Sequence, residues 1–151
     1  MTIKNSDLDF VKKQEDYKNF LKNKDINQIL NKRLKRTEFM PFAPVVLDYK
    51  AKEYFPNYDS NIPAAKYMTL TYDTKEKYHD LLQATVHVDG TARVQTLTKD
   101  DNGKFYDLVK EFKQITGIPV ILNTSFNDAG EPIVETPEDA MICFLNTEMD
   151  Y

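Results

Sequence analysis

Cysteine is almost missing from this chain: Cys143 stands alone among 151 residues. That excludes an internal disulfide framework and any metal site built from several thiolates. Histidine is nearly as scarce, and His79 and His87 are too few for a histidine-rich centre. No apolar run approaches the roughly 20 residues that span a bilayer. The opening M-T-I-K-N-S-D-L-D-F lacks the apolar centre of a signal peptide, so a cytoplasmic protein is the expectation. Positive charge is not in excess: the formal net charge is −4 and the sequence pI is about 5.2. Neither nucleic acid nor a membrane is therefore an expected partner, and any anion site must come from a local cluster. There is no phosphate-loop signature, no pair of metal ligands on one helix face and no nucleophilic triad. Cys143 lies within an apolar helical pattern and reads as core. Internal repeats and low-complexity tracts are missing as well.

What remains is ordinary globular material, with 41% hydrophobic and 29% charged residues, in a chain long enough to bury a core. Residues 1–24 form either an N-terminal helix or a mobile arm, and residues 25–151 form the domain proper. A second amphipathic helix is expected through Ile26, Ile29, Leu30 and Leu34, capped by Asp25. F-A-P-V-V-L-D-Y at 42–49 reads as a strand, followed by a short helix from Ala51 to Phe55. Alternation predicts strands at Tyr67–Tyr72 and Thr91–Thr98, with a helical turn at Glu76–Leu82 between them. Phe105, Leu108, Val109, Phe112 and Ile115 follow the helical period of a buried stripe, and Gly117 is its natural stop. I-P-V-I-L-N at 118–123 then reads as a buried strand and Ile133–Glu135 as another short one. Thr136 and Pro137 open a last helix, with Ala140, Met141, Phe144 and Leu145 as its apolar face. The fold class is α/β (α+β), a mixed twisted sheet flanked by helices.

Three stretches carry candidate chemistry. In P-V-I-L-N-T-S-F-N-D-A-G, Asn123 and Ser125 stand where a buried strand runs out, a common place for ligand contacts. An amide and a hydroxyl suit an amide, carbamoyl or phosphoryl oxygen; they serve a plain turn equally well. In H-V-D-G-T-A-R-V-Q, Arg93 can fork onto a phosphate or carboxylate, the bland alternative being a surface pair with Asp89. His87 is a base, a donor or a packed imidazole. The run Lys32, Arg33, Lys35 and Arg36 can attract a polyphosphate, or be a solvated helix face.

Taken in order, R-T-E-F-M-P-F-A-P-V-V-L, A-T-V-H-V-D-G-T-A-R-V-Q-T and T-G-I-P-V-I-L-N-T-S-F-N-D-A-G-E-P-I-V-E-T-P-E-D-A form a specific set. It resembles the C-terminal domain of the O-carbamoyltransferases, the enzymes of nodulation-factor, cephamycin and aminoglycoside tailoring. The resemblance implies a YrdC-like fold that binds carbamoyl phosphate and ATP and forms a carbamoyl-adenylate. It implies that an actin-like N-terminal domain, which holds the metal, passes the carbamoyl group to an acceptor hydroxyl. By motif match Arg93, Asn123 and Ser125 are the catalytic and phosphate-binding groups, with Lys35, Arg36 and His87 as further binding candidates. No metal is expected in this chain.

Two departures bear on that picture. Family members often carry an arginine just before P-F-A-P and a lysine six positions earlier, where this chain has Met40 and Leu34. The cationic role then falls to Lys35, Arg36 or Arg33, or is lost. The family's G-P-R-A-L-G-N-R-S block, which supplies a phosphate-binding arginine, is not in this sequence, and neither is the actin-like domain. The chain is accordingly expected to be incomplete by itself and to need that domain in trans. The alternative is a non-catalytic nucleotide- or phosphate-binding subunit or regulatory module. A YrdC-like role in RNA modification is a weaker reading, disfavoured by the acidic balance.

Overall fold

A computed structural model describes Gln28, Asn31, Lys32, residues 42–128 and residues 130–147. Gln28, Asn31 and Lys32 are helical, in the stretch where the second amphipathic helix is expected. The expected arm at 1–24, and Lys35 and Arg36, lie outside the described residues.

The fold is α+β, organised around one strand. β1 (Ala43–Leu47) is buried along its whole length. β4 (Gln95–Leu97) joins it in parallel, with Val45 opposite Gln95, and β5 (Val120–Asn123) joins it antiparallel, with Ala43 opposite Asn123. The order β4-β1-β5 makes a three-stranded mixed sheet. A strand enclosed on both edges and both faces is continuously apolar, as A-P-V-V-L is. Pro44 stands one residue before β4 joins, near a strand end where a missing N–H is tolerated.

The two faces of this sheet carry separate apolar clusters. Val45, Leu47 and Leu97 pack with Val109, Phe105 and Ile121 on one side. Val46, Val94, Ile118 and Val120 pack with Tyr54, Phe55, Tyr58 and Tyr72 on the other. Helix α1 (Asp48–Tyr54) follows β1 directly and buries Ala51 and Tyr54. Helix α2 (Gly103–Thr116) starts where Asn102 Oδ1 accepts from the Phe105 N–H at 3.1 Å, and stops at Gly117 with φ of 77°. Both signals are local, so both are legible in the sequence.

Four expectations need correction. Thr91–Thr98 is not one strand. β3 (Thr91–Arg93) pairs antiparallel with β2 (Thr71–Asp73) in a second sheet, and the chain changes sheets at the buried Val94. Tyr67–Tyr72 is mostly not a strand either: Pro63–Tyr67 winds into a 3₁₀ turn that ends at Met68 in the left-handed region, φ 55°. Only Thr71–Asp73 extends, since Tyr67 and Leu70 face solvent and have no core to alternate against.

Ile133–Glu135 forms no strand, and its return is held by the Val134 N–H donating to the Phe126 carbonyl at 3.0 Å. Finally, the helical stripes are displaced. On α2 the facing residues are Phe105, Val109 and Phe112, while Leu108 is 60% exposed. Helix α3 (Pro137–Asn146) buries Cys143 and leaves Met141 and Leu145 exposed. Its capping box is complete: Thr136 Oγ1 accepts from the Asp139 N–H, and the Asp139 carboxylate accepts from the Thr136 N–H.

Candidate functional site

The arginine and the asparagine singled out in the sequence arrive at the same end of the sheet. β1 and β4 run parallel with Val45 beside Gln95, and Arg93, which pairs with Thr71 in the other sheet, precedes Gln95 by two residues. Ala43 at the amino end of β1 is the partner of Asn123. Side chains alternate along a strand, and Val94 and Thr96 are buried while Arg93 and Gln95 are only half-buried. Gln95 and Asn123 therefore meet near the amino end of β1 and the carboxyl end of β5, with Arg93 two residues before Gln95.

Asn123 is anchored by a group the sequence reading did not single out. Its Nδ2 donates to Gln95 Oε1 at 2.8 Å and lies 3.8 Å from Met68 Sδ. Met68 comes from the left-handed end of the 3₁₀ turn, a backbone state a non-glycine residue adopts only where its surroundings hold it there. The signal for Gln95 was present: it follows Arg93 by two in A-R-V-Q, the spacing that shares a strand face.

Arg93 makes no ion pair or hydrogen bond among the described residues, so its guanidinium is not spent on Asp89. Asp89 Oδ1 instead accepts from the Thr91 N–H at 3.0 Å and from Thr91 Oγ1 at 2.8 Å. Those bonds hold its carboxyl below the usual aspartate range. Thr91 has committed its proton to Asp89, so it can only accept at 3.0 Å from His87 Nδ1. His87 thereby closes the base of the hairpin leading into β3, with its N–H donating to the Thr91 carbonyl at 2.7 Å. Its ring is occupied in positioning the strand that carries Arg93.

Ser125 lies two residues past Asn123, exposed, with its Oγ donating to Asn127 Oδ1. Asn127 in turn donates to the Asp128 and Glu131 carbonyls, so it builds the turn. The structure ties Asn123 to Gln95, two residues beyond Arg93, and sets Ser125 on the loop beyond and His87 at the hairpin base. A separate cavity of about 20 Å³ contains neither Arg93 nor Asn123; it is lined by apolar groups such as Leu82, Ala84 and Ile118. That is room for about one water molecule, not for a substrate. No described helix is long and apolar enough to cross a membrane.

The arrangement can neutralise an oxyanion with one guanidinium and orient a planar polar group with amides. Residues 20–151 match the model of the family described as carbamoyltransferase C-terminus. The chain belongs to that family. Among its relatives is nodulation protein NolNO of Sinorhizobium fredii, 42% identical over 129 residues, covering 85% of this chain and 18% of the relative. Nodulation protein NolO of Bradyrhizobium diazoefficiens is 39% identical over 131 residues, 85% of this chain and 23% of the relative. Nodulation protein U of the same organism is 35% identical over 114 residues, 76% of this chain and 19% of the relative. The chain thus spans about a fifth of the length of these relatives.

Proposed function

We propose that this carbamoyltransferase domain binds carbamoyl phosphate and ATP in the cytoplasm and forms a carbamoyl-adenylate, whose carbamoyl group passes to an acceptor hydroxyl. Written to balance, forming the adenylate consumes one water and releases phosphate and pyrophosphate, and passing the carbamoyl group to the hydroxyl releases AMP. The observation that carries the reading is Arg93, without an ion pair or hydrogen bond among the described residues, at the same end of the sheet as Asn123 in a chain of this family. Phosphoryl chemistry asks a protein for positioning and charge neutralisation more than for covalent participation. Arg93 supplies charge in a forked geometry matched to a phosphate. Asn123 and Ser125 supply orienting groups for the carbamoyl and phosphate oxygens. Lys35 and Arg36 stay candidates for the polyphosphate.

In a second reading the chain binds the same ligands without turnover, as a non-catalytic nucleotide- or phosphate-binding subunit or regulatory module. Calorimetric titration of the 151-residue chain with carbamoyl phosphate and ATP, separately and together, tests the shared core of both. Heat of binding for carbamoyl phosphate is the expected result. Binding of neither ligand overturns the proposal. Release of phosphate and pyrophosphate by the chain alone would decide for catalysis over binding.

A further inference from the structure

We propose that Gln95 determines specificity for the carbamoyl group, with its amide nitrogen and the Asn123 carbonyl oxygen receiving that group as a matched donor–acceptor pair. The inference rests on the functional reading above and names a residue that reading does not use. Its ground is the hydrogen bond from Asn123 Nδ2 to Gln95 Oε1 at 2.8 Å. That bond fixes the orientation of both amides. It uses the donor of one and the acceptor of the other, and leaves Gln95 Nε2 as a donor and Asn123 Oδ1 as an acceptor. Among the described residues neither of these atoms has a hydrogen-bond partner. Both side chains are half-buried, at the amino end of β1, and Gln95 lies two residues beyond Arg93.

A carbamoyl group carries a carbonyl acceptor and an NH₂ donor on one carbon. Gln95 Nε2 answers the first and Asn123 Oδ1 the second. Inorganic phosphate engages only the Arg93 end. An acetyl group keeps the carbonyl but puts a methyl where the NH₂ was, so Asn123 Oδ1 is desolvated with nothing to accept from. Sites built to hydrogen-bond a substrate group reject the analogue that lacks it far better than apolar pockets reject an added methylene.

The test compares carbamoyl phosphate, acetyl phosphate and inorganic phosphate on the 151-residue chain by calorimetry, for wild type and for Gln95→Met. Met keeps the length of the side chain and removes its amide. Wild type is expected to favour carbamoyl over acetyl phosphate by about tenfold or more, the effect of one unpaired buried polar group. Gln95→Met is expected to bring that ratio close to one while its affinity for inorganic phosphate stays as in wild type. An unchanged ratio in the variant overturns the proposal. So does an equal loss for all three ligands, which marks Gln95 as a structural tie. A wild-type ratio near one also overturns it, and that measurement is independent of how the variant folds. If wild type binds no carbamoyl phosphate at all, the functional reading itself falls and takes this inference with it. Binding with an unaltered ratio sinks the inference alone.

Discussion

Gly90 lies directly against His79: a Cβ built on Gly90 would sit 3.3 Å from His79 Cε1. The imidazole is held there because its Nε2 donates to the Thr74 carbonyl at 2.8 Å, and the Thr74 N–H donates to the Gly90 carbonyl at 2.9 Å. The glycine thus turns the chain at φ of 82° and also admits the ring that braces the hairpin. Gly117 has φ of 77° but no atom within 4 Å of its missing Cβ. Gly117→Ala should therefore cost only the left-handed backbone penalty, about 1 to 2 kcal/mol. Gly90→Ala should cost that and more, because the His79 ring must give way. Paired urea denaturation curves would show it, and equal midpoints for the two variants would contradict the steric part.

Arg93 is the strongest claim on ligand binding, and two substitutions separate charge from geometry. Arg93→Ala removes a half-buried side chain with no partner among the described residues, so the thermal midpoint should stay near that of wild type. Carbamoyl phosphate binding should disappear. Arg93→Lys keeps the charge and loses the planar fork, so affinity should fall about tenfold, which corresponds to about 1.4 kcal/mol. Unchanged affinity in Arg93→Ala would remove this residue from the site.

How far sequence reasoning reached depends on the range of each signal. The cap at Asn102, the stop at Gly117 and the capping box at Thr136 and Asp139 are set within a few residues, and the sequence displays them. The buried run of β1 is equally local in pattern. Val94 is different, because the change of sheet there depends on which strands arrive from positions far along the chain. No alternation pattern within Thr91–Thr98 encodes it. The same holds at the site. Arg93 and Asn123 were legible as residue types at strand ends. The amide tie between Asn123 and Gln95 joins positions 28 apart in sequence and exists only in the tertiary pairing.

Tyr58 should matter at high pH. Its hydroxyl donates to Asp48 Oδ1 and approaches Thr96 Oγ1 at 3.3 Å, joining the loop after α1 to β4. Burial first, and then the bond to the Asp48 carboxylate, push its pKa up to about 12 from 10.0. Burial does the same to Tyr54, also to about 12. Both are raised above their unfolded values, so the native state holds these protons while the unfolded chain loses them. The resulting stability is fully present below pH 10 and is lost as pH rises from 10 toward 12. Tyr58→Phe should flatten that alkaline loss, and should cost about 1 to 3 kcal/mol at neutral pH by leaving Asp48 short of a donor. Denaturation at neutral pH and across the alkaline window checks both effects.

At the acid end the group to watch is Asp101. Bonds from Lys66 Nζ at 2.8 Å and from the Thr98 hydroxyl and N–H hold its carboxyl down to about 2 from 3.8. A depressed carboxylate contributes stability that is present above pH 3.8 and is lost as pH falls toward 2. Asp101→Asn should therefore bring the stabilities of variant and wild type together below that window and separate them above it. The gap is small, because an exposed ion pair is screened by solvent and salt. A constant difference across the whole range would contradict a depressed Asp101 carboxyl.

Cys143 should report on α3. Its thiol is 3% exposed, and burial, with smaller contributions from Asp128 and Glu131, raises its pKa above the ordinary value. A buried thiol that resists ionisation is a poor nucleophile, since the thiolate is the reactive form. Reaction with an aromatic disulfide reagent at neutral pH should be slow in the native protein and rapid in denaturant. Thr136→Ala removes the hydroxyl that accepts from the Asp139 N–H, at a cost of about 1 kcal/mol. That variant should speed the native reaction in proportion to the more frequent opening of α3. Modification as fast as that of a free thiol, in protein that is otherwise folded, would show that α3 does not cover Cys143 in solution.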